Sequence, residues 1–134
     1  MPVAEAMYYE KLDEQKVRCF LCPHHCLIQP GKAGLCRVRA NEGGRLQSLN
    51  YGEVASLALD PIEKKPLYHF CPGTMILSAG TFGCNLSCGF CQNYSLAHGR
   101  PATQYIDPGT LAEIALLSTR DGSVGMAFTY NEPG

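Results

Sequence analysis

The stretch Met75-Ile-Leu-Ser-Ala-Gly80-Thr-Phe-Gly-Cys84-Asn-Leu-Ser-Cys88-Gly-Phe90-Cys91-Gln-Asn93 runs from an apolar segment straight into a CxxxCxxC loop. The run Met75 to Ala79 reads as a buried strand, and the glycines after it read as a turn. Cys84, Cys88 and Cys91 crowd three thiols into eight residues, a density that calls for a metal. A structural zinc ion recruits four protein ligands, whereas three thiolates from one loop suit a cubane whose fourth iron stays open for chemistry. A zinc reading would complete the set with Cys71 or His98.

Downstream of that loop, Asp107-Pro108 opens a helical pattern through Leu111, Ile114, Ala115 and Leu117, with Asp107 as N-cap and Pro108 at the first helical position. Asp121-Gly122 ends the helix, and Val124 to Thr129 returns as a second apolar strand. The sum is an α/β fold: one β-loop-α-β unit with a parallel pair. Parallel sheets are normally covered on both faces, so this pair alone reads as a fold cut off partway. Ligands in such folds sit at the C-terminal ends of the strands. The loops there, Gly83 to Asn93 and Tyr130 to Gly134, would share one rim, the first bringing thiolates and the second Asn131, Glu132 and Pro133. Glu132 reads equally as a solvated loop carboxylate, Phe90 as a ring packed on the first strand, and Gln92 and Asn93 as caps of the turn after the loop.

Upstream, residues 5 to 16 carry the pattern of a short amphipathic helix. Val17 to Arg39 sets Cys19, Cys22, Cys26 and Cys36 among Pro23, Pro30, Gly31 and Gly34, which predicts a knuckled loop without helix or strand. Four thiols opening on CxxC suit a closed zinc site, and the CxxCxxxC run equally suits a ferredoxin-type auxiliary cluster. A cluster would relay electrons; zinc would hold a module too small to fold on its own core. His24 and His25 read as surface residues. Asn41 to Gly44 is turn chemistry, and the runs around Leu46 and Leu49 and around Val54, Leu57 and Leu59, separated by Asn50-Tyr51-Gly52, predict a β-hairpin. Three prolines and Lys64-Lys65 make residues 61–73 an extended connector in which Cys71 is a buried thiol. The expected organisation is a Cys-rich module with hairpin at 1–60, the connector, and a new α/β unit at 74–134.

The chain has 134 residues and a net charge of −1, with both signs interspersed, so neither nucleic acid nor an anionic membrane surface is indicated as a partner. The N-terminus lacks the apolar core of a signal peptide, and no apolar stretch approaches the ~20 residues of a membrane span. A cytoplasmic, reducing address follows as the expectation, and there eight cysteines read as metal ligands and not as disulfides.

The CxxxCxxC loop with Phe90 before its last cysteine resembles the cluster-binding signature of the radical S-adenosylmethionine enzymes. Cys-Phe-Leu-Cys-Pro-His-His-Cys from Cys19, Gly-Lys-Ala-Gly-Leu-Cys-Arg-Val-Arg from Gly31, Asp-Pro-Ile-Glu-Lys-Lys-Pro-Leu-Tyr-His-Phe from Asp60, Cys91-Gln-Asn and Phe128-Thr-Tyr-Asn-Glu-Pro resemble more closely the AmmeMemoRadiSam-system radical SAM enzymes, which are similar to pyruvate formate-lyase activating enzymes. The resemblance implies a [4Fe-4S] cluster on Cys84, Cys88 and Cys91, S-adenosyl-L-methionine on the open iron, Phe90 near the adenine, and Asn131 and Glu132 near the methionyl amine. Asn131 stands where that family has a glycine. Also implied are a one-electron donor such as flavodoxin or ferredoxin, a 5′-deoxyadenosyl radical that abstracts hydrogen, and a protein glycine as one class of substrate. Members of the group are longer, so the resemblance implies that residues 74–134 are the first β-loop-α-β unit of a partial (β/α) TIM-type barrel and that this stretch alone lacks turnover. The contrasting expectation is a non-catalytic zinc-binding interaction module.

Overall fold

A computed structural model describes residues 3–131. Its first part is built from six short strands, β1 (Ala4–Glu5), β2 (Tyr9–Lys11), β3 (Val17–Cys19), β4 (Leu27–Ile28), β5 (Arg39–Glu42) and β6 (Arg45–Ser48). They form two antiparallel sheets of three strands, in the orders β2-β3-β4 and β1-β6-β5. Ala6, Val17, Cys19, Ile28 and Leu46 close a small core between them. The β5–β6 ladder turns at Gly43-Gly44, both at positive φ as a two-residue hairpin requires. Asn41, fully buried, ties this turn to its surroundings by donating to the carbonyls of Gln15 and Ile28 and accepting from the Gly44 amide.

Three expectations for this part are corrected. No amphipathic α-helix forms over residues 5–16, only a kinked 3₁₀ turn at Asp13–Gln15, because Tyr8, Glu14 and Gln15 take positive φ and the segment pairs as β1 and β2. Val17 to Arg39 is not strandless, because Val17 and Ile28 pair across β3 and β4 and are both needed in the core. The hairpin is β5–β6; the runs on either side of Asn50-Tyr51-Gly52 part company and pair elsewhere.

In the second part β7 (Glu53–Val54) pairs with β10 (Gln104–Tyr105), while β8 (Ser56–Pro61), β9 (Met75–Gly80) and β11 (Ser123–Phe128) form a sheet with β9 in the middle. The β8 ladder is antiparallel and the β11 ladder parallel. Being central, β9 buries Leu77, Ser78, Ala79 and Gly80 in succession, the unbroken pattern of a strand covered on both faces. The segment after β8 is no free connector: Ile62 is fully buried in a 3₁₀ turn, Ile62–Lys64. Cys71 is exposed at positive φ, not buried. Since β8 belongs to the sheet of β9, the second structural unit begins before residue 60.

Two helices follow β9, α1 (Tyr94–Ala97) and α2 (Pro108–Leu117). The start of α2 is set by Asp107, whose carboxylate accepts from the Thr110 amide at 3.0 Å and the Thr110 hydroxyl at 2.6 Å. Those bonds hold its carboxyl below the usual carboxylate range. Asp107→Ala is expected to lower Tm by a few degrees without changing the fold, measurable by thermal unfolding followed by circular dichroism. After a 3₁₀ turn, Ser118–Asp121, the chain reverses at Gly122 into β11. Leu116 and Leu117 on this crossover and Val124 and Phe128 on β11 are exposed. No helix among the described residues is long and apolar enough to cross a membrane.

Candidate functional site

The CxxxCxxC loop leaves the C-terminal end of β9 through Gly83. Gly83 is buried with φ +91, and a Cβ there would collide with the Val38 side chain and stand 3.0 Å from the Cys36 carbonyl oxygen. Only glycine lets this backbone lie directly on the first module. The loop is closed by the Gly83 amide, which donates to Leu96 at 3.0 Å, and carries a turn from the Cys91 amide to the Cys88 carbonyl at 3.3 Å. Within it Cys84, Cys88 and Cys91 are free and half-buried. Phe90 is 91% exposed, so its ring does not pack on β9 and is free to meet a ligand or partner. Asn93 sits at the N-cap of α1 but makes no side-chain cap bond; its carbonyl instead accepts from Leu96 and Ala97.

The end of β11 arrives beside this loop, as parallel neighbours must. The Asn131 side chain donates from Nδ2 to the Gly83 carbonyl at 2.7 Å, and its buried Oδ1 has no partner among the described residues. Glu132 and Pro133, the other expected contributors from this strand end, lie outside the described residues. Tyr130 precedes Asn131 at φ +76. Its hydroxyl donates to Asp60 on β8, which also accepts from Lys64 and Lys65 at 3.1 Å each, while Lys65 Nζ lies 4.5 Å from the Tyr130 ring centroid. Burial pushes the Asp60 carboxyl up, but the bonds from Tyr130, Lys64 and Lys65 prevail and hold it well below the usual range. This clamp fixes a strained residue next to Asn131. Its sequence signal was the charged run Asp60-Pro-Ile-Glu-Lys-Lys, but nothing local in that run names Tyr130 as the partner.

The other cysteine set is brought together as well. Cys19, Cys22, Cys26 and Cys36 line one cavity together with Arg39 and Asn85, the residue after Cys84. His24, exposed, bonds through Nε2 to the Asn85 carbonyl at 2.7 Å. Arg37 donates to the Ala97 carbonyl at 2.9 Å and to His98 at 2.6 Å, so His98 is engaged by Arg37. The two cysteine segments are therefore in contact through the Asn85 and Gly83 backbones.

Among the described residues no three His, Cys, Asp or Glu side chains meet around one ion position. A tetrahedral zinc ion needs sulfurs about 2.3 Å from one centre. A cubane takes one thiolate per iron, so its thiolates stand further apart. The donor set on the loop fits such a cluster: three free thiols from a short loop, no fourth thiol in that loop, and at the same rim a buried acceptor, Asn131 Oδ1, without a hydrogen-bond partner among the described residues.

The chain is 46% identical over 129 residues to the uncharacterized protein MJ0808 of Methanocaldococcus jannaschii. The aligned stretch is 96% of this chain and 39% of that protein, so the chain spans about two fifths of the length of this curated relative. No family model matches the chain, and no solved structure matches it.

Proposed function

We propose that the chain carries the cofactor seat of a radical S-adenosylmethionine enzyme of the AmmeMemoRadiSam type, in a partial (β/α) barrel, with Cys84, Cys88 and Cys91 holding a [4Fe-4S] cluster. One observation supports this most: the CxxxCxxC loop sits at the C-terminal end of β9, and the end of the parallel strand β11 is bonded to it through Asn131 and the Gly83 carbonyl. When bound, the cluster and S-adenosylmethionine supply a one-electron reductive cleavage that yields methionine and a 5′-deoxyadenosyl radical for hydrogen-atom abstraction.

The chain's own residues bind and position. The three thiolates fix the cluster on a loop anchored at Gly83 and Leu96. Asn131 Oδ1 would accept a hydrogen bond from the methionyl ammonium while Nδ2 keeps the strand end on the loop, and Glu132 would offer its carboxylate to the same group. Phe90 offers an exposed ring face to adenine. The exposed loop also leaves a face on which a flavodoxin-like or ferredoxin-like donor can dock. The exposed apolar face of α2 and β11 is what the following strand and helix of a complete barrel would cover. Eight free thiols are in keeping with work in a reducing cytoplasm. Similarity to glycyl-radical activases makes a protein glycine the first substrate to assay.

The test is anaerobic reconstitution with iron and sulfide, followed by metal analysis and by electron paramagnetic resonance of the reduced chain with and without S-adenosylmethionine. The expected result is a signal that shifts on adding S-adenosylmethionine and is lost, with about four irons per chain, in the triple variant Cys84→Ala, Cys88→Ala, Cys91→Ala. A triple variant that keeps all of its iron, or a parent that takes up none, sinks the assignment.

A further inference from the structure

The cavity lined by Cys19, Cys22, Cys26 and Cys36 borders the CxxxCxxC loop at Asn85 and is not needed for the chemistry described above. Its size bears on what it could hold. It encloses about 150 Å³, whereas a single water needs roughly 10–15 Å³ on the same measure. A zinc ion gripped by four thiolates needs every sulfur about 2.3 Å from one centre, and among the described residues no three of these thiols meet around one ion position. Here the four thiols occupy separate places on the wall. Cys19 is on β3 and buried, and Cys26 faces it across the bond from the Cys19 amide to the Cys26 carbonyl at 3.0 Å. Cys36 comes from the turn closed by the Arg37 amide on the Gly34 carbonyl at 2.9 Å.

Charge supplies a second, independent observation. Arg39 lines the cavity, is only 7% exposed, and lies in no ion pair among the described residues. One guanidinium nitrogen donates to the Met7 carbonyl at 2.7 Å and points to Cys19 Sγ at 3.9 Å, while Nε has no partner. A buried guanidinium without a counter-charge is costly, and what faces it is four thiols. An anionic centre in the cavity would answer that charge. The backbone is also bent to bring the thiols in: His25 before Cys26 and Arg37 after Cys36 both take positive φ, which non-glycine residues adopt only under constraint.

We propose that Cys19, Cys22, Cys26 and Cys36 ligate a second iron–sulfur cluster of the four-thiolate type in this cavity, with Arg39 as the buried cation beside it. The cluster would share a wall with Asn85, one residue from Cys84, which puts the two centres side by side.

The decisive protein is the triple variant Cys84→Ala, Cys88→Ala, Cys91→Ala, which leaves the first module intact. After anaerobic reconstitution it is expected to keep about four irons and four sulfides per chain with the broad visible absorption of a cluster. Adding Cys22→Ser and Cys36→Ser, both half-buried positions outside the core, should remove that iron while circular dichroism shows the strands retained. In the triple variant, Arg39→Gln should move the reduction potential of the remaining cluster downward, because a cation that favours the added electron is gone. A triple variant with no iron, or with one zinc and no sulfide, overturns the proposal. A potential that is unchanged or higher overturns the role of Arg39. The two readings fail separately: iron lost entirely with the loop cysteines defeats this one, and iron lost entirely with the N-terminal cysteines defeats the loop cluster.

Discussion

Gly83→Ala is expected to destabilise the chain by about 2–5 kcal/mol, with roughly 1–2 from the left-handed backbone and about 1–3 from overpacking. The position combines three constraints. Its φ is +91, its Cβ would enter the Val38 side chain, and the Cys36 carbonyl oxygen would lie 3.0 Å away. Val38 is 2% exposed and cannot swing aside into solvent, and a carbonyl in a turn cannot move without its chain. Urea unfolding of the metal-free protein measures the loss, and a change under about 0.5 kcal/mol, the range of an ordinary surface substitution, would refute the account of this contact. Pairing it with Val38→Ala gives a sharper outcome. That change removes the methyl collisions but not the backbone strain or the Cys36 carbonyl, so the double variant should be more stable than the sum of the singles predicts.

The consequence reaches the site, because Gly83 is where three segments meet. Its carbonyl takes the Asn131 side chain, its amide closes the cysteine loop on Leu96, and its Cα face lies on the turn that carries Cys36. Displacing it separates the loop thiols from the strand end and from the first module together. Reconstituted Gly83→Ala should therefore hold less iron at both cysteine sets than the parent, whereas a substitution felt only in stability would leave the iron content of the folded fraction unchanged.

What could be read in advance was local chemistry. Asp107 caps α2 through Thr110, three residues on, so a short window contains both partners. Cys84, Cys88 and Cys91 are one loop, and their spacing alone proposes a metal. The run Met75 to Ala79 is apolar apart from the small Ser78 because β9 is covered on both sides, and its length marks it as a strand. What could not be read was pairing at a distance. Asn41 to Gly44 and Asn50 to Gly52 both look like hairpin turns, and only the partners chosen by β7 and β8, on β10 and β9, decide between them. Strands of two to four residues in the first module are too short to show a period, and their existence depends on the shared core around Leu46. The clamp on Tyr130 joins residues 70 apart in sequence, and Arg39 beside the thiols is an arginine among other arginines until the fold buries it.

That clamp yields the second large effect, and its pH dependence has a definite sign. Asp60 is 6% exposed and accepts from Tyr130, Lys64 and Lys65. Asp60→Asn keeps the shape but removes the charge, leaving the two ammonium groups without their counter-charge; about 1–3 kcal/mol of stability should be lost at neutral pH. Because the native carboxyl titrates well below the ordinary aspartate value, near 3.9, its contribution is complete above that value. It drains away as the pH falls from about 4 toward the lower native value. Urea unfolding of the metal-free parent and of Asp60→Asn at several pH values should therefore show a constant gap from neutral pH to about 5, narrowing below about 4. A gap that stays constant or widens on acidification would show that the charge of Asp60 is not what stabilises it. Tyr130→Phe separates the clamp's stability from its effect on the site. Asp60 keeps both lysines, but residue 130 loses the bond that holds it at φ +76, and Asn131 is no longer positioned on Gly83. This variant should lose little stability, and its reconstituted cluster signal should respond more weakly to S-adenosylmethionine than the parent's.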